Sequence, residues 1–338
     1  MLTSVELENF GPLPSLKWPE LQNINLVIGP NSSGKTFLLK TLYCAMRTLE
    51  EFQRGSDPRS ASEIMADKLY WTFQPEKIGD LVTKGADGAL SCKVTVDKKS
   101  FGYGFGKDTT KSISTLENNV PRRAGNSVFL PPKEVLSLQR IILKSRSLDK
   151  DFGFDDTYYD LAKALAYQPT GGKNYIEFAQ SRASLEKIIN GKIEFDPLGD
   201  RWQFKNNRNQ KFQIGVTAEG IKKIAILDTL LGNRYLSRES VIFIDEPESA
   251  LHPVAISSLM EIIAALASGG IQFFIATHSY FVIKKLFLIA QVQQLSIPVL
   301  SFVDGAWQQD NMQQGMPPNP IIDESIHLYE QEVESALG

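Results

Sequence analysis

Gly29, Gly34, Lys35 and Thr36 stand in the spacing G-x-x-x-x-G-K-T within VIGPNSSGKTFLLK, residues 27–40. Each residue type has a chemical reason to be there. Glycines let successive backbone N–H groups converge on anionic oxygens, and the N-terminus of a following helix adds partial positive charge. A lysine at 35 reaches the β- and γ-phosphates of a nucleotide, and a threonine hydroxyl at 36 holds Mg²⁺. The candidate nucleotide-binding set is Gly29, Pro30, Asn31, Ser32, Ser33, Gly34, Lys35, Thr36 and Phe37. The bland alternative is a glycine-rich turn with no ligand. The flanking segments argue against it: INLVI, residues 24–28, predicts a buried strand, and Phe37, Leu38, Leu42, Met46 and Leu49 recur near helical period. Strand, loop and helix are the setting the spacing requires.

A second segment, VIFIDEPESALHP, supplies carboxylates. Val241 to Ile244 predict a buried strand that ends in Asp245-Glu246. Asp245 can bind Mg²⁺ beside Thr36, and Glu246 can orient and activate water for attack on the γ-phosphate. Alone, an apolar strand ending in two acids is a common surface turn; downstream of a phosphate loop it reads as catalytic. In FFIATHS a third strand ends at His278. A lone histidine there is usually structural, but this sheet edge is where open α/β proteins bind ligands. Its imidazole can bond the γ-phosphate or the attacking water. Glu246 and His278 are the catalytic candidates, and Thr36 and Asp245 the metal candidates.

These residues need a scaffold. The chain has 338 residues, net charge −3, two cysteines and three histidines. The length suits one large domain or two lobes. The charge does not indicate a protein that coats nucleic acid. Cys44 and Cys92 form no metal or disulfide pattern, which fits a reducing cytosol and a cytoplasmic location. No signal peptide or membrane-spanning run is expected, and no repeat or sustained heptad pattern. Strands are expected near residues 4–10, through a hairpin at 89–108, at 128–130, and in three short runs at 192–216. Its GYGFG, residues 102–106, lacks a strand-loop-helix setting and reads as hairpin glycine. Residues 133–190 read as mostly helical, with a loop at 168–174. IPVLSFVDG reads as the last strand, and residues 321–337 as an acidic amphipathic helix.

GPNSSGKT, VIFIDEPESALHP and IATHS, in that order, resemble the ABC-type ATPases of the RecF, SMC and OLD-nuclease group; ENFGPL and FLPPKE add weaker likeness. The resemblance spans roughly residues 1–304. It implies an α/β, P-loop ABC-type ATPase head with a mixed β-sheet core, a β-meander lobe and a helical insertion. The expected division is residues 1–132 for the N-terminal part of the head and 133–190 for the helical insertion. Residues 191–304 would complete the head, and 305–338 would form an acidic tail helix. Two heads of this kind sandwich two ATP molecules, each site completed by a signature helix of the second copy. The signature here falls on Thr217, Ala218, Glu219 and Gly220. Ala218 stands where serine is usual, so Thr217 is expected to supply the missing hydroxyl, to cap the helix, or to do both. Gln74 is a candidate for the Q-loop glutamine.

The residues after Asp304 are too few for the Toprim nuclease domain of OLD proteins, which implies that the effector of an OLD-like head is another chain or absent. The leading expectation is a homodimeric ATPase that gates a nuclease or toxin in bacterial anti-phage defence, without a membrane partner. The rivals are a RecF-like DNA-repair ATPase and a non-hydrolysing nucleotide switch. Arg122, Arg123, Lys133, Arg140, Lys144, Arg146 and Lys150 gather in sequence and could track DNA phosphates, although a solvated helix face explains them as well. Ile322, Ile326, Tyr329 and Val333 form one stripe of the tail helix. Something must cover it, either its own head or a docked chain.

Overall fold

The chain opens with β1 (Leu2–Phe10) and β2 (Leu13–Trp18), then β3 (Ile24–Ile28), which feeds the phosphate loop and α1 (Lys35–Glu51). α2 (Ala61–Phe73) precedes β4 (Leu90–Val96), β5 (Lys99–Phe105), β6 (Thr115–Asn118) and β7 (Ser127–Leu130). Next come α3 (Gln139–Lys144), a π turn at Ser145–Asp149, α4 (Asp156–Leu165) and α5 (Ala179–Ile189). β8 (Gly191–Asp196), β9 (Arg201–Asn206) and β10 (Lys211–Gln213) lead to α6 (Glu219–Gly232) and β11 (Val241–Asp245). The chain closes with α7 (Pro253–Ser268), β12 (Gln272–Thr277), α8 (Tyr280–Gln293), β13 (Pro298–Val303), β14 (Ala306–Asn311) and α9 (Pro320–Leu337). This computed structural model describes residues 1–167 and 178–337; the loop expected at 168–174 lies outside the described residues.

The central sheet has the order β14-β13-β3-β12-β11-β7, parallel except for β14. Its inner strands are apolar without alternation because both faces are covered. Ile242, Ile244, Phe273 and Ile275 pack against α4–α8, while Val241, Phe243, Phe274 and Ala276 face α1 and the β1–β6 lobe. That lobe is an antiparallel sheet in the order β2-β1-β4-β5-β6, and it holds GYGFG within and just after β5. β8–β10 form a small third sheet. α/β architecture, mixed sheet and β-meander lobe are as expected. Leu161, Leu165, Leu185 and Ile189, from the segment read as an insertion, share one core with Ile242 and Ile244.

Two expectations are corrected. β13 is not the last strand: Asp304 and Gly305 both take positive φ, 50° and 82°, and close a two-residue hairpin onto β14. Asp-Gly favours this turn, whereas AWQQDN, an edge strand, lacks the apolar alternation that reveals inner strands. The segment expected to be mostly helical from residue 133 enters its first helix only at Gln139. In α9, Ile322 is buried and Ile326, Leu328, Tyr329 and Val333 are exposed, so the stripe is covered only at its first turn.

Behind the sheet, α1, α2 and α4 are joined by buried charge. Lys68 Nζ lies 2.8 Å from Asp160, 3.0 Å from Glu51 and 3.2 Å from Asp156, and Arg47 pairs with Glu50 and Glu51. Burial alone would push the Asp160 carboxyl up, but Lys68 and Arg47 outweigh it and hold it well below the usual range. Removing one partner leaves charge stranded in low dielectric. Lys68→Met is therefore expected to lower the unfolding free energy by about 3–5 kcal/mol. The check is the urea midpoint; a midpoint equal to that of the unsubstituted chain would contradict the assignment.

Candidate functional site

The ladder brings the three motifs to one edge. Asp245 pairs with Ala276, and Thr277 with Ile28, so β11, β12 and β3 end side by side. The loop after β3 turns through Ser32 at φ 65° and Gly34 at φ 97°, and Gly34 is the N-cap of α1. A side chain at Gly34 would be strained in φ and would press on Leu13 and Pro12, at 3.2 and 3.3 Å. Pro30, Asn31 and Ser32 are exposed, and Ser33 and Lys35 are buried. Lys35, 6% exposed, folds back to donate to the Gly29 and Pro30 carbonyls, each at 2.8 Å. Burial pushes its pKa down against Asp245, Glu246 and Glu248. Phe37 packs between Phe10 and Phe73, at ring distances of 5.3 and 4.5 Å.

Thr36 Oγ1 donates to Asp245 Oδ2 at 2.7 Å. Asp245 Oδ1 and Ser33 Oγ are buried and have no hydrogen-bond partner. Burial raises the Asp245 pKa, with the Thr36 hydrogen bond opposing it. Such atoms are costly to bury unless a ligand completes them. A carboxylate oxygen beside a threonine hydroxyl is a hard oxygen donor set that suits Mg²⁺, and a serine hydroxyl in a ring of backbone N–H groups suits a phosphate oxygen. The residues present fit both groups.

Glu246 follows in the left-handed region, φ 51°, with its N–H donating to the Ala276 carbonyl at 2.9 Å. His278 Nδ1 lies 3.4 Å from Glu246 Oε1, and its side chain is exposed at the rim. Glu248, which sequence reasoning did not single out, ties the two strand ends together. Its Oε1 accepts from Thr277 Oγ1 at 2.8 Å and from the His278 N–H at 3.2 Å. Its place in Asp-Glu-Pro-Glu was the available signal. Lys222 and Lys223 of α6 were also missed. Lys222 bridges Glu134, in the segment after Pro131-Pro132, at 3.3 Å, and Glu219 at 2.9 Å.

Other sequence candidates fall elsewhere. Thr217 does not cap α6: its hydroxyl donates to the Gln213 carbonyl at 3.2 Å, and Ala218 is the N-cap, with no side-chain bond. Ala218 and Glu219 are exposed, while Gly220 is buried where a Cβ would lie 2.5 Å from the Ala250 carbonyl oxygen. Gly220 thus has a packing role within its own chain. Gln74 caps the C-terminus of α2, and its Oε1 accepts from the Gly153 N–H at 3.4 Å. The basic residues form no continuous track. Arg122 and Arg123 precede β7 at the end where β11 begins, and Lys133 follows it at the opposite end. Arg146 lies 3.3 Å over the Trp71 ring and pairs with Asp156, and Arg140 lies 3.5 Å from Asp200.

Parallel sheet, phosphate loop and strand-end carboxylates together define an α/β P-loop protein with the fold of an ABC-type head. A family model described as "AAA domain, putative AbiEii toxin, Type IV TA system" matches residues 102–284, more than half of the sequence, and the chain belongs to this family of AAA domains. The matched residues include Asp245, Glu246 and His278 but not the phosphate loop. No curated protein matches the chain. Among solved structures, an Smc head bound to the C-terminal winged-helix domain of ScpA superposes with a TM-score of 0.53 at 12% identity, covering 92% of this chain and 97% of that one. The SMC head domain from Thermotoga maritima gives 0.47 at 12% identity, covering 92% and 98%. An Smc head with an extended coiled coil, bound to the C-terminal domain of ScpA derived from Pyrococcus furiosus, gives 0.49 at 12%, covering 98% of each chain.

Proposed function

We propose that this chain binds and hydrolyses ATP, as a head that pairs with a second copy and gates a separate effector. The observation that carries the ATPase reading is the Thr36–Asp245 contact, with Asp245 Oδ1 and Ser33 Oγ buried and unpartnered beside it. In this reading the loop Gly29–Gly34 cradles the phosphates through its N–H groups. Lys35 leaves the Gly29 and Pro30 carbonyls for the β/γ-phosphate oxygens. Thr36 and Asp245 hold Mg²⁺, which neutralises charge on those oxygens when bound. Glu246 takes the proton of the attacking water, and His278, on the carboxylate side, orients that water or the γ-phosphate. Glu248 keeps the two strand ends in register. Hydrolysis of ATP to ADP and phosphate by the purified chain, dependent on Mg²⁺, tests this reading; failure to bind ATP would end it.

The dimer reading places Thr217, Ala218, Glu219 and Gly220 against the triphosphate of the second copy. Exposure of Ala218 and Glu219 at the start of α6 supports it. Backbone N–H groups there can bind the anion without a serine hydroxyl. The missing hydroxyl favours slow turnover, and it keeps a second reading, a nucleotide switch without hydrolysis, in view. Gly220→Asp would strike Ala250 of its own chain, so Ala218→Asp is the cleaner test. It sets a carboxylate against the opposing phosphates, and the ATP-dependent dimer is expected to weaken by about tenfold or more. Sedimentation in ATP checks this, and an unchanged dimer would mean that the heads meet elsewhere.

The effector remains a nuclease or toxin in this reading, and anti-phage defence its setting, on the strength of the OLD-like motif DEPESALHP. The acidic α9, with Ile326, Leu328 and Tyr329 exposed, is the surface offered to a partner chain. Among the described residues no helix is long and apolar enough to cross a membrane.

A further inference from the structure

Lys223 is 9% exposed, on the buried side of α6, yet makes none of the ion pairs that occupy Lys222. Its ammonium donates instead to the backbone carbonyl of Glu246 at 2.5 Å. Burial pushes its pKa down to about 8, while the charges of three carboxylates of the strand-end turn, Glu248, Asp245 and Glu246, favour its charged form. An apolar residue would fill the same space without that desolvation. What the ammonium supplies is a hold on one peptide. Glu246 is in the left-handed region, which a non-glycine residue keeps only when its surroundings enforce it. Its N–H is fixed on Ala276 and its C=O on Lys223, so both ends of the residue are held by hydrogen bonds, one to β12 and one to α6.

We propose that Lys223 is a positioning residue for hydrolysis: it holds the Glu246 backbone so that the carboxylate faces the attacking water. It also links Glu246 to the helix whose exposed start, Ala218 and Glu219, is offered to the second copy. A shift of α6 when two heads meet then moves the general base of the same chain. The inference rests on the ATPase reading above and deepens it.

The test compares Lys223→Met and Lys223→Arg, each alone and combined with Glu246→Gln. Lys223→Met is expected to lower kcat about ten- to a hundredfold through misplacement of the base, with the equilibrium Kd for ATP within about twofold. Lys223→Arg, which keeps a donor and a charge, should recover part of the rate. On the Glu246→Gln background, Lys223→Met should cost nothing further in single-turnover hydrolysis, because both changes act through one carboxylate. Amide exchange in residues 245–250 should quicken in Lys223→Met, a readout that needs no turnover and stands even if the chain does not hydrolyse ATP. Wild-type kcat in Lys223→Met, an additive loss with Glu246→Gln, or unchanged exchange would each overturn the proposal. Absent turnover in the unsubstituted chain would instead overturn the ATPase reading.

Discussion

Lys35→Ala is expected to abolish ATP binding while leaving the fold intact. The ammonium is buried at the loop, 2.8 Å from two carbonyl oxygens that it can exchange for phosphate oxygens. Removing one partner of a buried charged contact costs about 2–5 kcal/mol, roughly thirtyfold to several thousandfold in affinity. Stability should behave differently. Because burial pushes the Lys35 pKa down, the free protein bears a desolvation cost at this side chain, and alanine relieves it. That contribution opposes folding in full below the folded pKa, where the lysine is charged in both states, fades as the pH rises from the folded to the unfolded pKa, and is absent above it. The melting temperature without nucleotide should therefore change little near neutral pH, because relief of that cost is offset by loss of the bonds to the Gly29 and Pro30 carbonyls, while the shift given by ATP disappears. Titration with a fluorescent ATP analogue and a melting series check both parts. Retained affinity would mean that the loop binds phosphate by its backbone alone.

Glu246→Gln is expected to keep nucleotide and lose turnover. Glutamine preserves the shape beside His278 Nδ1, at 3.4 Å in the present chain, but it cannot accept the proton of water. Loss of a general base lowers the rate about 10²- to 10⁴-fold. With hydrolysis blocked, ATP should accumulate on the head and the paired state should persist long enough to isolate. Chromatography of the released nucleotide checks it: intact ATP is expected, and ADP in wild-type yield would remove Glu246 from the role. His278 is exposed and lies on the same carboxylate, so its loss should be milder than that of Glu246.

Much of the candidate site was legible in the sequence because its residues lie at strand ends. Apolar runs such as VIFID and QFFIAT can be buried on both faces only in a covered parallel sheet, and their last residues then share one edge. Glu248 and Lys223 were not legible in that way. Glu248 acts across 29 residues on Thr277, and Lys223 reaches the Glu246 carbonyl, in the turn after β11, from α6. No local spacing encodes a side chain bonded to a distant backbone. Thr217 misled for a related reason. A threonine before a helix favours capping, but the short turn at residues 214–216 brings the Gln213 carbonyl within reach of its hydroxyl and moves the cap to Ala218. The basic residues between 122 and 150 are near in sequence, yet β7 carries the chain from one end of the sheet to the other between Arg123 and Lys133. The buried network around Lys68 was invisible because its partners come from α1, α2 and α4.

On the reading proposed above, the edge formed by Thr36, Asp245 and Glu246 hydrolyses ATP with a divalent cation. Phosphate release by the purified chain, followed in Mg²⁺ and in EDTA beside Asp245→Ala, addresses it most directly. Release is expected in Mg²⁺, and none in EDTA or from Asp245→Ala. Equal release from Asp245→Ala, or none from the unsubstituted chain in Mg²⁺, would contradict it.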